Sequence, residues 1–484
     1  MVKFKSFFKK DLLYFIILLI LTALTQFHSI NSEVIDWDES TFMIIAKDFS
    51  NGNLPYENLW DLKPPLFFIL LGTFYKIFGA SLLTTRLFGD LLIFLTSIVI
   101  YLISKKIFNK HLSFVSSSIY IFLVSFNFAQ PTLTEFLSTF FLLFAILLSN
   151  SKIKSNYFLI GFFISLSIFT RTNVAIVIFY FIFKFIKNKV NYLKFSQFFL
   201  GGALPFITLG LIYFFNNKFK EFIYSTFIIP LKYTFIRKNP IEIFLDSYFG
   251  IFLDDLITIP MIVVIITFSF FLLFIFSKTT FKNFLNVLKN YEILFSIFFL
   301  VTASIFITGK FYYHYLIQIF PFVAIFIVIF INTLPKLQLQ LSNLIILVFI
   351  LLSIPIFNQS LNNVVNYNKI SKNYPIESFV KYIDREESLL AIENHIIYFY
   401  LDVYPITPIV HPNVIMKNKE YEDLLKSLES LNYIRKNEFS KLLNDFPVYI
   451  FCQINCELYL GSTYLNSYNI VHKQGEYKLY KFSN

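Results

Sequence analysis

Charge is scarce in this chain. Asp, Glu, Lys and Arg supply 15% of its 484 residues, against 56% apolar. That is well below the ~25% charged residues of an average soluble domain. With a mean hydropathy of +0.65, it excludes the two or three soluble domains that the length alone would suit. Cysteine is nearly absent: Cys452 and Cys456 are the only two, so there is no disulfide framework. A single bridge and two buried thiols both stay open, and a cysteine metal site would need ligands that the surrounding sequence does not offer. No small-residue cleavage site follows the first apolar stretch, and neither an internal repeat nor a low-complexity linker is visible. The net charge of +11 is not a nucleic-acid footprint, because the lysines sit in short clusters between apolar runs.

What the chain has in abundance is apolar runs near twenty residues, rich in Phe (67 residues). At about 1.5 Å per residue, such a run crosses a hydrocarbon layer of about 30 Å. The expected fold is therefore an α-helical polytopic membrane protein. Its first helix, about Asp11–Phe27, follows Lys3, Lys5, Lys9 and Lys10 and reads as a retained signal anchor with a cytoplasmic N-terminus. The apolar stretch Pro65–Phe78 is too short to cross and is expected at the interface. With that choice the clusters Lys105/Lys106/Lys110, Lys152/Lys154, Lys184/Lys187/Lys189/Lys194, Lys278/Lys282/Lys289 and Lys336 all fall inside. The spans between them are about 87–104, 112–128, 131–148, two short ones in Tyr157–Ile186 broken at Thr170–Asn173, 195–215, 256–277, 292–308, 315–333 and 342–356, about eleven in all. The outer loop from Asn216 to Asp255 is expected to carry another surface helix.

The first long polar segment, Asn31–Pro65, gathers Glu33, Asp36, Asp38, Glu39, Asp48, Glu57, Asp61 and Lys63 together with both tryptophans, Trp37 and Trp60. Asp36 and Glu39 stand at capping-box spacing. Phe42, Ile45, Ala46 and Phe49 then recur with helical period up to Gly52, which predicts an amphipathic helix on the membrane surface. Because lysine clusters alone set the topology, the other ionisable residues test it. Asp38, Glu39, Asp61, Lys63, Arg86, Glu135, Arg171, Lys310 and His314 all come out on the outer face. Charges at helix ends of so apolar a protein are costly unless paired or functional, so one polar cavity at the outer boundary is expected. Asp38 and Glu39 could instead merely cap their helix, and Lys63, Arg86 and Arg171 could anchor at the interface.

From about Asn358 the composition shifts. Helical patterns at Pro375–Glu386 and Glu420–Leu443 alternate with β-like runs at Ser388–Ile392, Ile406–Val410, Val448–Phe451 and Tyr477–Phe482. This predicts a transmembrane domain over 1–357, with its first outer loop at 31–80, and a small extracytoplasmic α/β domain over 358–484.

Asp38-Glu39 after the first helix, the turn Gly52 to Tyr56, and Asp61-Leu62-Lys63-Pro64-Pro65-Leu66 resemble the first outer loop of GT-C glycosyltransferases. The nearer resemblance is to the protein-mannosyltransferase and aminoarabinose-transferase branch, the family 39-like enzymes. Gly309-Lys310-Phe311 with His314-Tyr315 and Pro321, and Tyr398 through His411-Pro412, resemble later segments of that branch. The resemblance implies transfer of a sugar from a polyprenyl-phosphate-linked donor to an acceptor lipid, glycan or protein, with inversion, outside the cytoplasm. Asp38 with Glu39 would be catalytic, Asp38 as general base. Lys63 would meet the donor phosphate, with Asp61, Arg171, Lys310, His314, Glu135 and Arg86 as further substrate-binding residues. Lipid A transferases of the branch often carry Glu before Lys-Pro-Pro, where Leu62 stands here. That argues against this acceptor and against a metal at that position, though a divalent metal stays open as a cofactor. A flippase for a lipid-linked sugar is the alternative. Transporters place polar sites on broken helices near the midplane, often in repeated halves, and neither is visible. An oligosaccharyltransferase would be expected to carry Trp-Trp-Asp, which this sequence lacks.

Overall fold

The computed structural model describes residues 2–30, 34, 36–125, 132–149, 156–234, 291–307, 312–332, 354–365, 375–411, 414, 422–453 and 456–483, with isolated positions at 340, 343, 344, 347 and 351. Gln130, Lys152, Lys154, Lys310, the expected span at 256–277 and most of that at 342–356 lie outside these residues. In chain order the helices used below are α1 (Val2–Ile30), α2 (Trp37–Ser50), α3 (Leu66–Phe78), α4 (Leu82–Ser104), α5 (Lys110–Leu123), α6 (Thr134–Ser149), α7 (Tyr157–Ile168), α8 (Val177–Lys187) and α9 (Tyr192–Phe215). Then come α10 (Phe219–Ile223), α11 (Ile229–Thr234), α12 (Glu292–Ile307), α13 (Phe320–Asn332), α14 (Ile354–Val365), α15 (Pro375–Phe379), α16 (Ile397–Leu401) and α17 (Glu422–Ser430). The strands are β1 (Leu389–Ala391), β2 (Tyr449–Cys452), β3 (Tyr468–Gln474) and β4 (Tyr477–Phe482).

The chain divides into two compact units. One comprises Met1–Ile30, Arg86–Leu209 and Arg237–Val364; the other comprises Asn31–Thr85, Gly210–Ile236 and Val365–Asn484. Among the described residues, Asp11–Ile30, Leu82–Ser104 and Tyr192–Phe215 are long and apolar enough to cross a membrane, and shorter apolar helices accompany them.

In the first unit, Asp11 is fully buried and forms ion pairs with Lys105 and with Lys110, the latter at 2.8 Å. The start of the α1 span, the end of α4 and the start of α5 therefore share one side. That is the arrangement expected if α3 does not cross. The predicted break at Thr170–Asn173 is present: α7 ends at Ile168, a 3-10 turn covers Thr172–Ile176, and α8 follows. Here α7 packs on α9 with almost no clearance. A Cβ on Gly161 would stand 2.0 Å from the Phe198 carbonyl oxygen, and one on Gly201 1.9 Å from that of Phe158. Backbone atoms cannot swing aside as a side chain can, so only glycine fits this crossing.

In the second unit, Asp36 caps α2, its carboxylate accepting from the Glu39 amide at 3.0 Å as the capping pattern predicts. The surface-helix expectation for α2 is corrected. Residues Glu39 through Ala46 are buried without interruption, on every face of the helix. The reason is that α3 covers one side while α16, from the distant C-terminal segment, packs on it as well. The outer loop after α9 carries helix as expected, running from Phe219 through a π-helical turn to Thr234.

The C-terminal sheet has the order β1-β2-β4-β3, with β1 and β2 parallel and the other pairs antiparallel. Strands β1 and β2 are buried along their length, which is why their sequences read as unbroken apolar runs. Strand β3 was not expected. It is an edge strand with mostly exposed side chains and a register shift between Ile470 and His472, so it leaves little apolar alternation. Conversely, Ile406–Val410 is not part of the sheet. Pro405 and Pro408 supply no amide donors for a ladder, and Ile409 instead makes an isolated parallel bridge with Trp60. Cys452 and Cys456 are joined in a disulfide inside the domain core, beside Leu390, Ile450 and Tyr480.

Replacing Gly161 or Gly201 by Ala is expected to cost about 1–3 kcal/mol, the range for overpacking a tight contact. Thermal unfolding of the detergent-solubilised protein would show it as a lowered midpoint, whereas Gly202→Ala, whose Cβ would meet nothing nearer than 3.7 Å, should change little.

Candidate active site

The loop between α2 and α3 is tied down mainly by neutral hydrogen bonds. The Tyr213 hydroxyl donates to the Pro55 carbonyl at 2.9 Å, and that of Tyr433 to the carbonyl of Tyr56. Tyr56 has a left-handed backbone (φ 70°), and its own hydroxyl donates to the Lys63 carbonyl at 2.5 Å. Trp60 is buried, its indole N–H donating to Ser225 Oγ at 2.9 Å. Its backbone N–H donates to the Pro408 carbonyl at 2.7 Å, and its carbonyl accepts from the Val410 amide at 3.4 Å. These bonds fix Asp61 and Lys63 and bring the segment 408–411 alongside them.

Asp38, on the first turn of α2, is the centre of the arrangement. Its Oδ2 lies 3.4 Å from Lys63 Nζ and its Oδ1 3.5 Å from His411 Nε2. All three side chains are about one-fifth exposed. Asp61 does not reach outward; its Oδ2 accepts from the Lys63 backbone N–H at 3.0 Å, closing a local turn that aims the lysine. Burial raises the Asp61 pKa above the usual carboxylate value; Lys63 pulls it back, Asp38 pushes it up and His411 lowers it. Glu39 is wholly buried within α2. Behind the site, His395 is buried, with Nε2 3.1 Å from the Trp37 carbonyl and 2.9 Å from Thr41 Oγ1. Burial drives its pKa down from 6.5 to about 3, and repulsion from His411 adds to this.

The first unit holds a separate polar cluster. Glu135 sits in the first turn of α6 and Arg171 at the α7 break, and the two form a buried ion pair. His314 Nε2 stands 3.5 Å from the same Glu135 oxygen, and the Arg171 guanidinium lies over the Tyr315 ring at 4.6 Å. Asn173, just past the break, donates to Ser304 Oγ at 2.9 Å and to Gln318 Oε1 at 3.0 Å. Arg86 lies inside α4, fully buried, within electrostatic reach of Asp90 and His28. Thus Asp38, Asp61 and Lys63 come together in one unit, and Glu135, Arg171 and His314 in the other. His411 and His395 were not singled out from the sequence as site residues. Their only signals were the rarity of histidine (six in the chain) and the His411-Pro412 pattern.

The chain is an integral membrane protein with the GT-C fold, which it shares with solved structures over nearly its whole length. The family of dolichyl-phosphate-mannose-protein mannosyltransferases matches over residues 62–213, which include Lys63. ArnT from Cupriavidus metallidurans in the apo state has the same fold, with a TM-score of 0.62, 10% identity and 98% of each chain covered. The same enzyme bound to undecaprenyl phosphate gives 0.60 at 11% identity, again over 98% of both chains. The Archaeoglobus fulgidus oligosaccharyltransferase in complex with Zn and sulfate gives 0.50 at 11% identity, covering 94% of this chain and 71% of that one. No curated protein matches the sequence.

His395 gives the site a stability signature. Its folded-state pKa lies below that of the unfolded chain, so acid protonates the unfolded chain first. Its contribution is full above about pH 6.5 and is lost as pH falls toward about 3. Chemical denaturation across that window should show a steeper acid loss for the wild type than for His395→Asn; equal slopes would contradict a neutral buried imidazole.

Proposed function

We propose that the protein is an inverting glycosyltransferase that moves a sugar from a polyprenyl-phosphate-linked donor to an acceptor hydroxyl on the extracytoplasmic face. The observation that carries this reading is the Asp38–Lys63 pair, 3.4 Å apart in the first polar loop of a chain with this fold. The undecaprenyl phosphate held by ArnT makes a lipid phosphate the natural ligand for Lys63. The mannosyltransferase match and the likeness to an oligosaccharyltransferase both favour transfer over transport.

The chemistry follows from the donor. A phosphodiester-linked sugar leaves as a phosphate monoester, already a stable anion, so the departing group needs a cation more than it needs a proton. Lys63 supplies that charge, leaving Asp38 for the phosphate when the donor binds. On the opposite side of the anomeric carbon the acceptor hydroxyl must lose its proton as its oxygen bonds to carbon. In this reading Asp38 takes it, a role worth about 10²–10⁴ in rate. Asp61 keeps Lys63 aimed through the backbone, and Glu39, next to Asp38 on the first turn of α2, is assigned with it to catalysis. The Glu135–Arg171–His314 cluster is assigned to substrate binding in its own unit, as is Arg86. Lys310 belongs with them by sequence.

The zinc named with the oligosaccharyltransferase raises the question of a metal. Among the described residues no three of His, Cys, Asp and Glu stand close enough to hold one, and both Asp38 oxygens face nitrogen groups. The described residues gather no such set, and no step is routed through a metal. Two observations support the orientation. The lysine clusters mark one side as cytoplasmic, and a buried disulfide in the C-terminal domain suits an oxidising compartment.

Asp38→Asn is expected to lower transfer from a polyprenyl-phosphate sugar by at least about 10². Lys63→Gln should weaken donor use more than acceptor use. Product formation in proteoliposomes checks both, and full activity of Asp38→Asn would sink this mechanism.

A further inference from the structure

We infer that His411 is a positioning residue for Asp38: its Nε2–H and the Lys63 ammonium each engage one carboxylate oxygen, so the base is complete only when segment 408–411 is docked on the Trp60 loop. The inference rests on the glycosyl-transfer reading only for what Asp38 then does.

The placement is built rather than incidental. Trp60 lies just before Asp61 and clamps residues 408 and 410 through two backbone hydrogen bonds. The next residue along, His411, is thereby delivered to Asp38 Oδ1 at 3.5 Å, while its ring meets the Trp37 indole edge-on with centroids 5.7 Å apart. The tautomer follows from burial. Among the described residues, Nδ1 of His411 is shielded from solvent and meets no hydrogen-bond partner. A proton there would be an unsatisfied buried donor, which costs more than a bare lone pair. The ring therefore carries a proton on Nε2, facing the carboxylate. At 3.5 Å the contact is longer than a closed hydrogen bond, and such contacts commonly tighten when substrate binds.

Among the described residues, the charged and titratable groups facing His411 in this unit are Asp38 from α2, Lys63 and Asp61 from the loop, and the buried His395 beside α16. Asp61 disfavours a second negative charge at Asp38; Lys63 and the imidazole offset this. During transfer the acceptor O–H bond breaks and its proton passes to Asp38. The acceptor oxygen bonds to the anomeric carbon, and the bond to the lipid phosphate breaks with its electron pair leaving on the phosphate. His411 keeps its proton throughout; it holds the carboxylate ionised and oriented beforehand.

The test uses the full chain in detergent, with two readouts. One is the pH profile of kcat/KM with a polyprenyl-phosphate sugar. The other is an infrared titration of the carboxyl band, assigned by its loss in Asp38→Asn. His411→Leu should move the acid limb and the band titration up by about one pH unit, the scale of a lost favourable neighbour. That is about a tenfold fall in rate on the acid side, with donor KM little changed. His411→Gln, whose amide N–H falls near the place of Nε2, should restore both, whereas His411→Asn should not. If His411→Leu fails to fold, the Gln and Asn variants decide alone. An acid limb and a band both unmoved would overturn the inference while transfer by the wild type stands. A shifted band in a protein that transfers no sugar would uphold the positioning and overturn the reading of function.

Discussion

The Asp38 carboxylate, shared between the Lys63 ammonium and the His411 imidazole, is the interaction on which the second unit depends. A chain so poor in charge can hold an ionised group at the edge of an apolar body only where partners replace the water it gives up. The same constraint is met at two other places among the described residues: Asp11 with Lys105 and Lys110, and Glu135 with Arg171. Such pairs are weak evidence of net stability, because desolvation offsets much of the attraction. Their value at a site is orientation, since a carboxylate gripped at both oxygens has few other ways to sit.

The loop that carries Lys63 is itself held mainly by neutral donors. Three tyrosine hydroxyls and one indole N–H secure it, with two backbone bonds to residues 408 and 410. Neutral donors cost less to bury than ions, so the loop is secured without engaging the charges of Asp38 and Lys63. One Asp61 oxygen accepts from the Lys63 backbone amide, so the acid also braces the turn that carries the lysine. The C-terminal segment is thus part of the same compact unit as this loop. One of its residues supplies the second partner of the central acid.

Local patterns were legible because their causes are local. The cap at Asp36, the short α3 after Lys63-Pro64-Pro65, and the break at Thr170–Asn173 each follow from residues a few positions apart. Patterns whose meaning depends on what packs against them were read incompletely. The helix α2 shows one apolar stripe in sequence yet is enclosed on every face, because its polar residues find partners from distant segments, such as Thr41 with His395. The run Ile406–Val410 has the apolar content of a strand, but its prolines divert it to pair with Trp60. Strand β3 shows the converse: it pairs along one edge and buries almost nothing, so its sequence looks like loop.

Taken alone, the sequence determined that this is a polytopic membrane protein, where its first polar loop lies, and that Asp38 and Lys63 are the residues to weigh there. Hydropathy and helix-breaking chemistry act along the chain and leave periodic traces in it. Only the tertiary structure decided that Cys452 bonds to Cys456, that the Asp61 carboxylate accepts from the Lys63 backbone amide, and that His411 stands opposite Lys63 across one carboxylate. The histidine and the acid belong to segments hundreds of residues apart, and a contact of that kind has no period to betray it. It exists because folding lays residues 408–411 against Trp60, and nothing nearer in the chain requires it.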